Sequence, residues 1–195
     1  MAQWTIDPAH SEIKFKVKHL VISTVTGRFD RFSATIQANR PDFSDARIQF
    51  EADVNSISTN NEQRDGHLKS PDFFDAESYP EIKFASTSIT RKEEGEYALA
   101  GNMTIRGTSR PVSLKVVYNG TVKGFDGDVA AFEITGTLNR QEFGLRWNQD
   151  LDAGGVVVGD KVSIYLSIEV ATPQFEEAEL GEGDDPNDSD TGGPS

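Results

Sequence analysis

Three histidines and one arginine are the side chains of this 195-residue sequence whose types and positions could perform chemistry. His10, His19 and His67 together could hold a zinc ion and leave one position open for water. Their spacing follows neither the H-x-H nor the HExxH pattern, because His10 precedes a predicted strand, His19 ends it and His67 belongs to a predicted helix. We therefore expect neither a metal site nor a bound cofactor.

The sequence lacks the common catalytic signatures. It contains no cysteine, which excludes disulfides, thiolate catalysis and cysteine metal sites. It also has no GxSxG motif, no P-loop and no Rossmann glycine fingerprint. Ser11 follows His10 directly, but neighbouring strand residues point to opposite faces, so the two are not expected to act as a pair. These observations favour a protein that is not an enzyme.

His19 is the histidine with the most informative surroundings. It continues the apolar face formed by Ile13, Phe15 and Val17, so a regular strand would point it inward. A buried imidazole needs partners for its ring nitrogens. One interpretation is a core histidine bonded to a backbone carbonyl or a serine. The other places His19 at the mouth of a cavity, where it would orient the polar end of a ligand.

The only segment that is typical of a helix runs from Asn60 to Lys69, with Asn60 or Asn61 as its cap and Pro71 after its end. Arg64 and Leu68 are four residues apart and therefore share one face of this helix. Arg64 could pin the helix to the rest of the protein through a carboxylate. Alternatively, it could hold a carbonyl, carboxylate or phosphate head group beside an apolar pocket.

The elements that would position these side chains are strands with one apolar and one polar face. Apolar and polar residues alternate over 13–19, 46–54, 99–105 and 162–170, which is the pattern of half-buried strands. About eight antiparallel strands and one short helix predict an all-β, up-and-down barrel, although a two-sheet sandwich fits as well. Its interior would be either a packed core or a container. The strands are predicted near 3–7, 11–20, 28–38, 45–54, 81–89, 96–106, 111–118, 129–138 and 161–171, with a tight hairpin at Asn119-Gly120.

Charge divides the chain into a body, 1–175, and a tail, 176–195. The net charge is −13, and the tail carries eight acidic residues with no lysine or arginine. Such a segment buries too little apolar surface to fold, so we expect it to be disordered, as a solubilising extension or a regulatory arm. The absence of clustered basic residues argues against nucleic-acid binding. The start of the sequence shows no signal peptide, which predicts a cytoplasmic protein, or a periplasmic one if the chain is a processed form.

A series of short motifs resembles the YceI family of lipid-binding, lipocalin-like proteins. The order and spacing of these motifs make the resemblance specific. It implies an extended antiparallel barrel of about eight strands with a helix at one side, enclosing a long apolar tunnel for a polyisoprenoid chain. The motifs are WTIDPAHS (4–11), FKVKH (15–19), GRF (27–29), SIST (56–59), RDGHLKS (64–70), DFFD (72–75), YPEIKF (79–84), TIRG (104–107), Arg140 with FG (143–144), and VGDKV (158–162).

The resulting hypothesis is a non-catalytic carrier or store of an isoprenoid lipid, either a polyprenyl phosphate or an isoprenoid quinone. His19 and Arg64 would lie near the polar end of the tunnel. A transient membrane contact and a homodimer are compatible with such a carrier. Two alternatives stay open: an enzyme that uses His19 with Arg64 or Asp65, and an interaction protein with a filled barrel. The predicted tunnel lining consists of Phe15, Val17, Ile48, Phe50, Phe84, Met103, Ile105 and Phe132.

Overall fold

The computed structural model describes residues 2–172, and within this range strands dominate. The predicted tail, 176–195, lies outside the described residues. Within residues 2–172, no helix has the length and apolarity needed to cross a membrane. The elements are β1 (Ala2–Ile6), β2 (Glu12–His19), β3 (Ser23–Phe29), β4 (Phe32–Ala38), β5 (Arg47–Asp53), β6 (Ile57–Ser58), α1 (Glu62–Lys69), β7 (Glu81–Glu93), β8 (Glu96–Ile105), β9 (Thr108–Lys123), β10 (Asp128–Asn139) and β11 (Val158–Ala171).

Eight of these strands close into an antiparallel barrel, which confirms the predicted fold class. The order around the barrel is β1, β4, β5, β7, β8, β9, β10 and β11, and β11 then pairs with β1. This last pairing is short and joins Thr5 to Ala171 and Ile6 to Val170. The side chains on the inner faces form one apolar cluster, as expected when alternating strands close around a common interior.

A hairpin of two strands lengthens the barrel on one side. β2 pairs with the remaining part of β11, from Val158 to Ser167, so β1 and β2 occupy successive parts of the same β11 edge. A short 3-10 turn, Pro8–His10, lies at the changeover. β3 pairs with β2 along its whole length and also with β6. The hairpin therefore continues the wall beyond the point where β1 ends.

The loop between β4 and β5 closes one end of the barrel, which we call the blind end. Phe43 in this loop is 3% exposed and has a positive φ of 59°. Its ring meets Phe132 edge-on, with 4.9 Å between centroids, and lies 5.0 Å from Trp4. The Tyr97 hydroxyl donates a hydrogen bond of 2.6 Å to the carbonyl oxygen of Asp42 and ties the loop to β8. The blind end is therefore plugged by an aromatic side chain that is held from both sides.

Two expectations about the strands are wrong. Asn119-Gly120 does not form a hairpin, because β9 runs unbroken through it and Asn119 is the extra residue of a bulge opposite Ala131 and Phe132. The chain turns later, at 124–127. Bulges and tight turns favour the same residue types, which explains the error. The predicted strand 28–38 is interrupted at residues 30–31, where β3 ends and β4 begins.

Candidate functional site

The barrel contains two apolar cavities in a row, which lead to an open groove. The inner cavity, of about 110 Å³, lies next to the blind end. A middle cavity of about 150 Å³ follows, and then a mouth groove of about 480 Å³ between the β2–β3 hairpin and α1. The inner and middle cavities share the wall residues Phe50, Met103, Ile164 and Leu166. The middle cavity and the groove share Phe15, Val17, Leu68, Phe73 and Val158.

The inner cavity is lined entirely by apolar side chains. Inward positions of β5, β7, β8 and β10 supply the predicted residues, because alternation directs every second side chain into the barrel. A site of this kind offers no hydrogen bonds, so only a hydrocarbon would gain by entering it. Five of the predicted tunnel residues are on its wall: Ile48, Phe50, Phe84, Met103 and Phe132.

The middle cavity connects the apolar interior to the mouth. Phe15, Val17 and Ile105, all predicted as tunnel residues, are on its wall. Among its otherwise apolar lining are two charged residues, Lys14 and Arg140. Together with the inner cavity it places all eight predicted tunnel residues around the enclosed space. Contact of these residues with a ligand remains a prediction.

Arg140 is buried at the side of the middle cavity, with 5% of its surface exposed. Its guanidinium donates hydrogen bonds to the backbone oxygens of Leu145 (2.6 Å), Trp147 (2.9 Å), Gly159 (2.9 Å) and Val158 (3.2 Å). Burial lowers the pKa of Arg140, while the nearby Asp160 carboxylate raises it. Arginine stays charged even so. Its role is structural, because it fastens the segment before β11 to the start of that strand.

One wall of the mouth groove is formed by α1 and the segment before it. The Asn61 side chain caps the helix by accepting a hydrogen bond of 2.9 Å from the Arg64 backbone N–H, as the sequence predicts. The Asp65 carboxylate accepts hydrogen bonds from the Thr59 backbone N–H (2.8 Å) and hydroxyl (2.6 Å). These bonds fix the start of the helix against β6.

Arg64 reaches from α1 to the preceding segment. Its Nε donates to the Thr59 hydroxyl at 2.7 Å and its Nη2 to the Thr59 carbonyl oxygen at 2.8 Å. The predicted Arg–carboxylate pair is wrong, because no acidic group within residues 2–172 lies within 4.0 Å of the guanidinium. Nη1 makes no hydrogen bond within the same range. The guanidinium is thus held in place on the groove wall and keeps donors available.

Aromatic side chains flank the groove beside Arg64. The His67 ring meets Trp147 edge-on, with 4.7 Å between centroids, and Phe73 in the same way at 5.1 Å. His67 Nε2 lies 2.8 Å from an oxygen of Asp72. Sequence reasoning considered His67 only as a metal ligand and overlooked Trp147. The available signal was a tryptophan in a long segment that lacks strand alternation.

His19 lies on the opposite side of the groove, at the end of β2. It is partly exposed, and its ring makes no hydrogen bond with residues 2–172. The interpretation as a buried core histidine is therefore wrong. His19 and Arg64 both line the mouth groove, so the structure brings the two predicted polar residues to one site.

The three histidines do not form a common site. His10 lies outside the barrel, at the changeover from β1 to β2, with Nδ1 2.8 Å from an Asp7 oxygen and 3.8 Å from a Glu169 oxygen. The hydrogen bond with Asp7 raises the pKa of His10, and the same bond lowers the pKa of Asp7. Within residues 2–172, this is the one group of three side chains spaced closely enough to ligate a metal. The exposed ion pairs of His10 with Asp7 and Glu169 are sufficient to explain why the three side chains lie close together.

Comparison with known sequences shows similarity over almost the whole described chain. A family model described as a YceI-like domain matches residues 4–170. A UPF0312 protein of Staphylococcus aureus strain N315 is 38% identical over 171 residues, covering 87% of this chain and 97% of that protein. A second, from strain USA300, is 37% identical over the same length and coverage.

Solved structures with the same fold come from three other bacteria. BcnA of Burkholderia cenocepacia superposes with a TM-score of 0.72 at 22% identity, covering 84% of this chain and 98% of that one. A Campylobacter jejuni YceI protein gives 0.69 at 27% identity, with coverage of 82% and 91%. A polyisoprenoid-binding domain from Saccharophagus degradans gives 0.64 at 12% identity, with coverage of 89% and 100%.

Proposed function

The chain belongs to the YceI-like family, and on that premise we propose that its barrel binds an isoprenoid lipid without chemically changing it, as a store or carrier. The observation that carries this proposal is the row of apolar cavities that leads from the blind end to a polar mouth. The Saccharophagus degradans neighbour, named as a polyisoprenoid-binding domain, has the same fold and supports the same class of ligand.

The hydrocarbon tail of the ligand occupies the inner and middle cavities. Each buried methylene contributes ~0.8 kcal/mol, so a long prenyl chain binds well with few polar contacts. The shared wall residues Phe50 and Met103 are the side chains that must move apart to join the two cavities into one tunnel. Methionine is unbranched and adapts readily, which suits it to that position.

The polar end of the ligand lies in the mouth groove between Arg64 and His19. Arg64 is positioned by Thr59 and offers Nη1, which has no protein partner among the described residues, to an oxygen of the ligand. A guanidinium binds phosphate oxygens with short, charge-assisted hydrogen bonds, and it also donates to carbonyl oxygens. A polyprenyl phosphate and an isoprenoid quinone both have such oxygens at one end of a prenyl chain.

Binding fits this groove better than catalysis. A histidine that acts as a general base is normally oriented by a further group. His19 has no such partner within residues 2–172, and both hydrogen bonds that Asp65 accepts there come from Thr59. If the protein converted the ligand chemically and His19→Ala abolished that conversion, the protein would be an enzyme and not a carrier. A filled barrel would instead bind no lipid and gain no stability from any lipid that is added.

The direct test is native mass spectrometry of protein purified from its own host, followed by solvent extraction. A discrete adduct that extracts as a prenyl lipid or quinone is the expected result. A mass without adduct, unchanged after incubation with prenyl lipids, would overturn the proposal.

Two matched variants locate the ligand. Ala34→Met fills the inner cavity from β4 and is expected to lower lipid retention. Ala85→Met adds the same side chain on the exposed face of β7 and should leave retention unchanged. Equal retention in both variants would show that the ligand does not occupy the inner cavity.

A further inference from the structure

The tip of the β2–β3 hairpin exposes three consecutive apolar side chains. Leu20, Val21 and Ile22 form the loop between the paired residues His19 and Ser23, and we call them the hairpin tip. Their exposed fractions are 40%, 59% and 88%. A loop of this length ordinarily carries polar residues or glycine, because water surrounds it. Three apolar residues in succession therefore require a reason other than packing.

The backbone of the hairpin tip adds a second observation. Leu20 and Val21 have positive φ angles of 51° and 68°, a region that disfavours bulky and especially β-branched residues. Glycine or asparagine would fit these positions with less strain. Backbone strain at a well-held position points to function. The loop is well held, because the Leu20 N–H donates to the Val157 oxygen at 2.9 Å and the Ser23 hydroxyl donates to the His19 oxygen at 2.8 Å.

The hairpin tip lies at the entrance to the mouth groove. Val17, His19 and Val25 of the same hairpin line that groove, and so does Val157, to which Leu20 is bonded. An apolar surface thus continues from the tip through the groove into the middle cavity, which shares Val17. A hydrocarbon that moves along this route would meet apolar side chains such as Val17 and Val25 in the groove, beside polar ones such as Arg64.

Two lysines lie close to the hairpin tip in the sequence, on the outer face of β2. Lys18 is exposed and has no carboxylate within 4.0 Å among residues 2–172. Lys16 is exposed as well, but its ammonium group lies over the ring of Tyr165, 4.9 Å from the centroid. Long lysine side chains at such positions extend their ammonium groups to lipid head groups. Asp150 and Asp152 are exposed on the neighbouring loop and oppose an anionic surface. The attraction should therefore be mainly apolar, with a smaller electrostatic part.

We propose that the hairpin tip inserts into the interface of a lipid bilayer and sets the mouth groove against the membrane. This inference rests on the proposed function, because it describes how a lipid would pass between the bilayer and the barrel. The apolar tip, the strained backbone and the exposed lysines together fit a membrane interface. A protein partner at the same tip is the alternative, and the test separates the two.

The test is co-sedimentation of the full chain with vesicles of phosphatidylcholine, alone or mixed with phosphatidylglycerol. The double variant Val21→Asn, Ile22→Ser removes the apolar tip, and asparagine suits the positive φ at residue 21. We expect it to bind vesicles about tenfold more weakly, since most of the apolar area that would enter the bilayer is lost. The matched control, Val122→Ser with Phe125→Ser, alters exposed apolar residues at the opposite end and should bind like the unaltered chain.

Three outcomes would overturn the inference: no vesicle binding by the unaltered chain, equal binding by the tip variant, or an equal loss in the control. The inference would also be overturned if the hairpin tip bound a purified partner protein while the chain bound no vesicles. Uptake of a prenyl lipid from a cyclodextrin complex is measured separately and tests the proposed function alone. If uptake fails while tip-dependent vesicle binding persists, the proposed function is wrong and the membrane contact stands.

Discussion

The ring of Phe84 lies across Gly101 on the neighbouring strand, with a ring carbon 2.4 Å from the place where a β-carbon of Gly101 would be. Phe15 lies across Gly27 in the same way, at 2.1 Å. Each glycine lets an aromatic ring rest close to the barrel wall instead of crossing the interior. Because Phe84 lines the inner cavity and Phe15 the middle one, these two glycines keep the enclosed space open.

Gly101→Ala should therefore push Phe84 into the inner cavity. The new methyl would also stand 2.6 Å from the Ala85 backbone oxygen, so the strand must shift. We expect a loss of about 1–3 kcal/mol in the free energy of unfolding, which is typical of overpacking, together with lower prenyl-lipid retention. Thermal melting and mass spectrometry of the loaded protein measure the two effects.

Gly66→Ala is the control for this change. Nothing lies within 4 Å of the position that its β-carbon would take. Alanine in a helix is more stable than glycine by ~1 kcal/mol, so this variant should melt at an equal or higher temperature with unchanged retention. If Gly101→Ala behaves like Gly66→Ala, the ring of Phe84 does not limit the cavity.

Alternation was sufficient to predict part of the walls that surround the cavities. Period-two patterns identify β2, β5, β8 and β11 and assign inward positions, which is why residues such as Phe50 and Met103 were placed correctly on the cavity walls. Whether the interior is empty could not be predicted. That depends on cross-strand contacts such as Phe84 with Gly101, and a single sequence does not show which residues of different strands are opposed.

The mouth was only partly predictable for a similar reason. His19 and Arg64 were expected near the polar end, but the partner of Arg64 is Thr59 rather than a carboxylate. The role of Arg140 depends on carbonyl oxygens from two segments that the fold brings together. Every residue type has the same backbone carbonyl, so the sequence does not show which of them will accept these hydrogen bonds. Trp147 reaches His67 through that same arrangement.

Arg140→Met should destabilise the protein strongly. It leaves the oxygens of Leu145, Trp147, Val158 and Gly159 without their donor, and each buried unsatisfied group costs about 1–3 kcal/mol. Relaxation and water entry reduce the sum, so we expect a loss of about 3 kcal/mol or more in denaturant unfolding. Arg140→Lys should rescue little, because an ammonium group lacks the planar fork of donors.

A surface arginine provides the comparison for Arg140. Arg110 is exposed, and among the described residues its side chain donates a single hydrogen bond, of 3.3 Å, to the Glu142 oxygen. Arg110→Met should change the free energy of unfolding by no more than ~0.5 kcal/mol. Similar losses in both variants would show that the buried network around Arg140 contributes no more than an ordinary surface contact.

The Asp7–His10 pair predicts a pH dependence of stability. The pKa of His10 is raised in the folded state, so its contribution is complete below the unfolded value of about 6.5 and is lost as the pH rises through the folded pKa. The pKa of Asp7 is lowered, so its contribution is complete above about 3.9 and is lost as the pH falls through the folded value. The pair is therefore most stabilising between these limits.

His10→Gln should remove this dependence. Denaturant midpoints of the variant are expected below those of the unaltered chain at pH 5 and close to them at pH 9. The difference should be small, because the pair is exposed and screened by salt. A gap between the two proteins that is as large at pH 9 as at pH 5 would mean that His10 contributes by packing rather than by charge.

Arg64→Gln tests which kind of head group the mouth receives. Glutamine can still reach Thr59 but has no positive charge, so a charge-assisted bond to a phosphate is lost. Such bonds contribute about 1.5–3 kcal/mol, which predicts an affinity for a polyprenyl phosphate that is about ten to a hundred times weaker. Affinity for the corresponding neutral prenyl alcohol should change by less than about threefold, because its tail contacts are intact. Arg91→Gln should change neither affinity, because Arg91 is exposed and its side chain bonds within residues 2–172 only to the Glu93 oxygen. Fluorescence titration with both lipids measures the four comparisons, and equal losses for the phosphate and the alcohol would remove Arg64 from the head-group site.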